Sequence, residues 1–347
     1  MDQNIRRIES VTDRMTDAQV RQLMRAYRDS LNEVQGQLSA AFVKYADPLG
    51  EATYTELVKY NRLARLEENI AAELKRLGAG GVRTTQTSLA NIYEEAYYRG
   101  SFAIDQAVRT DYNMWTSFDK IPREQVIQSV MNPVEGIQTW DKRLLGHIGQ
   151  LETRTNDAIV RGLIQGKSYT NIAREVKDYF ERGAWQAERL VRTEAHMARE
   201  AGKQLSYAEA EKDGVEMQKM WMSSMDDRVR DEHGWADGQT VNVNDKFMVG
   251  GEELEYPGDR RGSAGNVINC RCNSAPVVEG MKPVQRRERL TDEEYSFRKD
   301  QEAAAARAAG RDPNPIPRGE VKPWRSYPEY AEAKGILLKY KGPEPRV

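Results

Sequence analysis

Residues 16–38 read TDAQVRQLMRAYRDSLNEVQGQL, and the spacing of their apolar side chains decides the fold class. Val20, Met24, Tyr27, Leu31, Val34 and Leu38 recur at alternating steps of four and three, the heptad spacing of a narrow helical seam. Thr16 and Gln19 stand at capping-box spacing, so the helix is expected to begin there. A narrow seam needs one long partner helix, and the chain supplies one in Tyr54–Leu77, where Leu63, Leu66, Ile70, Leu74 and Leu77 repeat at three or four. Asp47-Pro48-Leu49-Gly50 carries turn chemistry between the two. An intrachain hairpin over residues 1–80 is therefore expected in preference to an intermolecular coiled coil. Gly78-Ala79-Gly80-Gly81 is expected to end the second helix. The run is no phosphate loop, because no Lys-Ser/Thr follows it and no strand precedes it.

Working outward, residues 81–212 read as a central helical region. Helices are expected over Thr87–Val108, between Pro122 and Asn132-Pro133, over Thr153–Gln165 with Gly166 ending it, over Asn171–Phe180 behind a Ser168 or Thr170 cap, and from Ala184 to Glu211. Tyr93, Tyr97 and Tyr98 are read as packing residues rather than base-stacking platforms. After Asp213-Gly214 the texture changes. Met217, Lys219 and Trp221 alternate, Asp237-Gly238 has a hairpin-type turn pair, and Gln239–Val243 alternates again. Residues 213–280 thus form a small α+β module ending near Val278. Residues 281–347 hold 8 of the 13 prolines and read as an extended, irregular tail, with Trp324, Tyr327, Tyr330 and Gly335–Leu338 as a docking segment. The expected fold is mainly α: a long N-terminal helical hairpin and helical bundle, then the α+β module and the tail.

Composition narrows the function classes. Charged residues make up 31% of the 347, hydrophobic ones 39%, and the mean hydropathy is −0.77, as for long exposed helices. The 52 basic and 54 acidic residues give a net charge of −2, so no global basic field announces nucleic-acid binding. No apolar run approaches the ~18 residues of a membrane span, and no membrane segment is expected. Two cysteines one residue apart make no disulfide framework, which points to a reducing cytoplasm or a particle assembled there.

Chemistry-bearing residues concentrate between Trp221 and Cys272. Cys270-Arg271-Cys272 puts two thiols on one face of an extended segment, because side chains alternate with period two. With His233 they make a candidate zinc half-site, and Asp226, Asp227 or Asp231 can supply a fourth ligand, Asp226 being the first candidate. The spacing is not that of a zinc finger, and the competing reading is of two small buried hydrophobes beside a hydrogen-bonded histidine. Asp226–His233 reads as a short acidic helix or turn. Arg192-Thr193-Glu194 lies inside a helix as structural ion-pairing residues, which can meet the acidic loop of the module. His196 follows closely, and His147 is read as packed or capping. No Gly-x-Ser-x-Gly, His-Glu-x-x-His, Walker or dinucleotide motif is present, and no catalytic residue is assigned.

The ordered set Arg192-Thr193-Glu194, Trp221, Asp226, Arg230, His233, Asp237-Gly238, Phe247, Pro257-Gly258-Asp259 and Asn269-Cys270-Arg271-Cys272 resembles the head-morphogenesis, or minor head protein, family of tailed bacteriophages, of the phage Mu F protein and SPP1 gene 7 product type. The resemblance covers about residues 150–278. It implies a minor capsid protein inside the head, assembled in the host cytoplasm and associated with the portal protein. It further implies contacts with major capsid or scaffolding protein and with packaged double-stranded DNA, and a part in prohead assembly and in DNA packaging or ejection. It carries over no catalytic residue, so the matching positions form a motif of unassigned role. Some relatives carry toxin-like enzymes such as ADP-ribosyltransferases beyond this region. Two rival classes remain: a zinc-dependent hydrolase or nuclease carried in the virion, and a DNA-binding accessory head protein.

Overall fold

Helix α1 (Asp2–Tyr45) begins well before Thr16 in the computed structural model, which describes residues 2–45, 54–112, 116, 118–131, 134–278, 285–314, 316, 319–333 and 335. The expected cap is not used as one. Gln19 instead sends its amide across to Thr84 and Thr85, 3.1 Å from each hydroxyl, inside the helical layer. The buried line of α1 is Val20, Leu23, Tyr27, Ser30, Val34, Leu38 and Phe42. The seam therefore exists at the expected period, but Leu23 and Ser30 replace Met24 and Leu31, which are half-buried. The Asp47–Gly50 turn and Asn132-Pro133 lie outside the described residues.

The partner helix departs from its expected ends. After α2 (Tyr54–Val58) the chain makes a tight turn at Lys59–Asn61, where Tyr60 and Asn61 take φ of 56° and 57°, and α3 (Arg62–Tyr112) follows. This helix passes through Gly78-Ala79-Gly80-Gly81 without a break. Of its glycines, Gly78 and Gly81 face neighbouring side chains, while Gly80 faces open space. A Cβ on Gly78 would sit 3.0 Å from Leu145 Cδ2, and one on Gly81 would meet Leu23 and Leu144 at 3.4 and 3.5 Å. Glycine stops a helix where it can turn left-handed; here packing on both sides holds it helical. Gly166, with φ of 65°, does end α5 (Trp140–Ile164) as expected. Between them, α4 (Arg123–Met131) starts just after Pro122. The two helices expected over Asn171–Glu211 are one, α6 (Tyr169–Lys212); Gly183 lies inside it against Tyr27 and Leu151.

Two compact units are formed. One comprises Asp13–Ile92 and Pro122–Ala195; the other comprises Met1–Thr12, Tyr93–Ile121 and His196–Val347. The first is all-helical. Arg192 of the sequence motif pairs there with Asp17 (2.8 Å) and Glu188 (2.9 Å), and the fully buried Glu194 accepts from Arg143. These partners lie on α1, on α5 and on α6 itself, within the same unit, rather than on the acidic loop.

The second unit holds the α+β module. Strand β1 (Met217–Met222) lies between β2 (Thr240–Asn242) and β5 (Asn273–Val278), antiparallel to both, with Lys219 opposite Val241 and Pro276. Helix α7 (Asp231–Trp235) lies in the β1–β2 connection, so Asp237-Gly238 turns the chain from a helix end into a strand, with Gly238 at φ 83°. A small hairpin of β3 (Phe247–Val249) and β4 (Glu252–Leu254) and helix α8 (Ala264–Val267) complete it. The last turns of α6 cover the sheet: Tyr207 donates to Ser274 O at 3.2 Å, and Tyr207, Ala210, Met217, Val243 and Val278 share one core. Tyr93 and Tyr97 are buried, as their reading as packing residues requires, while Tyr98 is partly exposed.

The segment read as an irregular tail carries regular elements. β6 (Gln285–Arg289) and β7 (Gly319–Pro323) pair antiparallel, α9 (Asp292–Ala308) starts on a complete Thr291/Glu294 capping box, and α10 (Tyr327–Ala333) follows. Of the prolines that suggested disorder, the described ones, Pro313, Pro323 and Pro328, fall after α9, at the end of β7 and in the first turn of α10. Tyr327 and Tyr330 do dock, but onto Met225 of this same chain. Residues 336–338 lie outside the described set. Among the described residues no helix is long and apolar enough to cross a membrane.

Two glycines give opposite expected outcomes. A Cβ on Gly80 would have no neighbour within 4 Å, so Gly80→Ala should stabilise by up to about 1 kcal/mol through helix propensity. Gly202 in α6 would bring a Cβ to 2.3 Å from the Tyr93 carbonyl oxygen, a backbone atom that cannot step aside. Gly202→Ala should cost about 1–3 kcal/mol. Urea midpoints of the two variants, moving in opposite directions, check both.

Candidate metal centre

The site grows out of the short loop before β5. Asn269 takes φ of 56°, a left-handed conformation that asparagine tolerates, and this turns Cys270 inward. Arg230 donates to Ile268 O on one side of the loop, and Ser224 Oγ to Arg271 O at 2.9 Å on the other. Arg271, between the cysteines, points the opposite way and grips Asp226 with both guanidinium nitrogens. The two thiols are left facing the same interior. Helix α7 brings His233 to meet them: Nδ1 lies 3.3 Å from Cys272 Sγ and 3.6 Å from Cys270 Sγ. The donor atoms of His233, Cys270 and Cys272 lie within 4.8 Å of one another, and all three residues are buried.

The tautomer of His233 follows from its other neighbour. Asn266 Nδ2 donates to Val249 O at 3.3 Å, which turns its Oδ1 to His233 Nε2, 3.1 Å away. Nε2 therefore carries the proton and Nδ1 presents its lone pair to the sulfurs, the arrangement a metal-binding imidazole needs. Trp221 and Phe247 wall the site, with Trp221 edge-on to both His233 (5.6 Å) and Phe247 (5.4 Å). The cysteines share their chemistry. A hydrogen bond from Cys272 holds the Cys270 thiol well below its ordinary pKa despite burial, with His196 adding to the effect. Burial, with Cys270 beside it, pushes Cys272 well above.

Asp226, the candidate fourth ligand, stands outside this cluster. Its carboxylate is taken by Arg271 and by the Arg228 amide at 3.0 Å. Burial alone would raise its pKa, but the Arg271 hydrogen bond and charge draw it below the usual carboxylate value. Asp237, also in the motif, is a structural anchor: it accepts from the Ser223 amide (2.7 Å), the Tyr327 amide (2.7 Å) and both terminal nitrogens of Arg286 (2.6 and 3.0 Å). Gly238 makes the turn beside it.

Two residues at the site were not assigned from sequence. Asn266 sets the imidazole, and nothing in its spacing announces that. His196 on α6 is buried; its Nε2 makes no hydrogen bond of ordinary geometry yet lies close enough to Cys270 to draw down that thiol's pKa. Scarcity was the available signal, since the chain has only three histidines and two of them are here. The third, His147, is in α5 and takes no part.

Comparison with known proteins accounts for the order of these residues. Residues 153–275 match the family described as Phage Mu protein F like protein. The chain is 29% identical over 299 residues to the minor head protein GP7 of Bacillus phage SPP1, covering 84% of this chain and 92% of that protein. It is also 29% identical over 296 residues to the NAD(+)–arginine ADP-ribosyltransferase EFV of Enterococcus faecalis, covering 85% of this chain but only 59% of that protein. No solved structure matches the chain.

Proposed function

We propose that this chain, whose residues 153–275 match the family described as Phage Mu protein F like protein and which is 29% identical to a minor head protein, is a minor capsid protein of a tailed bacteriophage. It resides inside the head, associated with the portal protein, and acts in prohead assembly and in DNA packaging or ejection. The observation that carries this reading is the collinear likeness to a minor head protein over 92% of that protein's length. Partners of this kind include major capsid or scaffolding protein, with packaged double-stranded DNA as a further contact.

The geometry favours a structural over a catalytic role. A hydrolytic zinc needs an open coordination position reached by substrate, whereas His233, Cys270 and Cys272 are 2%, 5% and 3% exposed. Transferase activity belongs to the relative so named, of which this chain matches 59%.

Assembly in cells provides the test. Proheads formed without portal protein should lack this chain, while portal-containing proheads retain it. Normal incorporation into portal-free proheads, measured by quantitative mass spectrometry, would refute portal association.

A further inference from the structure

Three donors of the buried cluster converge within 4.8 Å, and a second buried histidine, His196, acts on Cys270 from outside that set, its Nε2 without a hydrogen bond of ordinary geometry. We propose that His196, His233, Cys270 and Cys272 form a structural zinc site, in which His233 binds through Nδ1 and His196 through Nε2. The inference is independent of the head-protein reading.

Charge supports the set. Two thiolates and two neutral imidazoles bring Zn²⁺ to zero, a net charge that suits a pocket walled by Trp221, Phe247, Val249 and Leu254. The fourth donor also resolves a buried polar atom, since His196 Nε2 otherwise has no hydrogen bond in a side chain only 7% exposed. His196 is held close by the backbone opposite: a Cβ on Gly258, which has φ of 86°, would lie 2.8 Å from His196 Cδ2 and 3.2 Å from Nε2. This explains why Pro257-Gly258-Asp259 needs glycine at its centre.

Binding requires three adjustments, the first being that the His196 ring closes on the other three donors, whose 4.8 Å set it does not share. The cysteine protons are released to solvent, because only thiolates ligate. His196 Nδ1 must become a donor, so Arg199 Nη2, now 2.8 Å from it, withdraws. Glu200, one helical turn further along α6 and 3.2 Å from Arg199 Nε, keeps hold of that guanidinium.

The test uses the full-length chain purified without chelators, stripped, and titrated with zinc against a chromophoric competitor, alongside cobalt(II) substitution and far-UV circular dichroism. Roughly one zinc per chain is expected, with the intense visible bands of tetrahedral cobalt bound by thiolate. Cys272→Ser should abolish tight binding. His196→Ala should keep its helical signal, weaken binding on the order of 10–100-fold or more, and diminish the cobalt bands. Gly258→Ala, whose added methyl would press on His196 Cδ2 and Nε2, should weaken binding in the same direction. A folded chain that takes up no zinc would overturn the site. Cobalt bands and affinity unaffected by His196→Ala would overturn the four-ligand assignment.

Discussion

Asp237→Ala is expected to lower the unfolding free energy by roughly 3–5 kcal/mol, the usual cost of stranding one member of a buried ion pair. Its partner Arg286 is 2% exposed and sits 4.3 Å over the Trp324 ring, with no route to water. The same carboxylate also satisfies the Ser223 and Tyr327 amides, both of which lose an acceptor on substitution. Asp237 therefore ties three segments together: the end of β1, the β6 strand through Arg286, and the start of α10. Gly234 adds to the same joint, since a Cβ there would lie 2.4 Å from Tyr327 Cδ1. Loss of Asp237 should release α10 first, seen as amide exchange around Tyr327–Ala333 rising before the rest of the unit opens. Asp237→Ala with Arg286→Met should recover part of the loss, because both charges are then gone. A single-variant loss below about 1 kcal/mol in chemical denaturation would contradict this account.

Glu200→Ala should be of similar size, about 3–5 kcal/mol, for the same physical reason in a different place. Glu200 is fully buried and accepts from Lys203 Nζ (2.9 Å), Arg199 Nε (3.2 Å), and the amide and hydroxyl of Ser274 (2.9 Å each). It joins α6 to β5 at the residue that follows Cys272 by two. Burial would raise its pKa, but the charges of Lys203, Arg199 and His196 hold it below the ordinary value. Lys203 is pulled the other way: burial lowers its pKa from 10.5, and Glu200 is the leading influence opposing that fall. Without Glu200 the folded chain sheds the Lys203 proton at still lower pH, while the unfolded chain keeps it up to about 10.5. The unfolded state then binds more protons across that interval, so the variant's stability rises with pH there. The deficit relative to wild type should accordingly be largest near neutrality and shrink toward pH 10. A deficit independent of pH would show that Lys203 is not the stranded group.

The helical class was legible because it rests on local spacing. Heptad-like steps in residues 16–38 specify a helix whatever surrounds them, and the strand alternation at Met217, Lys219 and Trp221 is equally local. Helix ends were not legible where tertiary neighbours decide them. Gly78 and Gly81 read as a stop, yet Leu145, Leu144 and Leu23 make them points of close approach. Gln19 read as half of a capping box, yet two threonines on α3 claim its amide. The residues of the site were visible as a motif, and convergence of the two thiols followed from alternation across Cys270-Arg271-Cys272. Asp226 was a reasonable ligand by type, but no sequence rule gives it to Arg271, its neighbour only through the fold. His196 was hidden for a related reason: a helix distant in sequence delivers it beside Cys270. The C-terminal segment misled through composition. Its described prolines, Pro313, Pro323 and Pro328, sit after α9, at the end of β7 and in the first turn of α10, and its buried Arg286 and Tyr327 bind it to Asp237.

An asymmetric reconstruction of the particle that contains this chain decides whether the proposed minor head protein sits at the portal. Density for its helices and α+β module is expected inside the capsid, against the portal vertex alone. Density distributed over the shell, or particles with a complete portal from which the chain is absent, would contradict it.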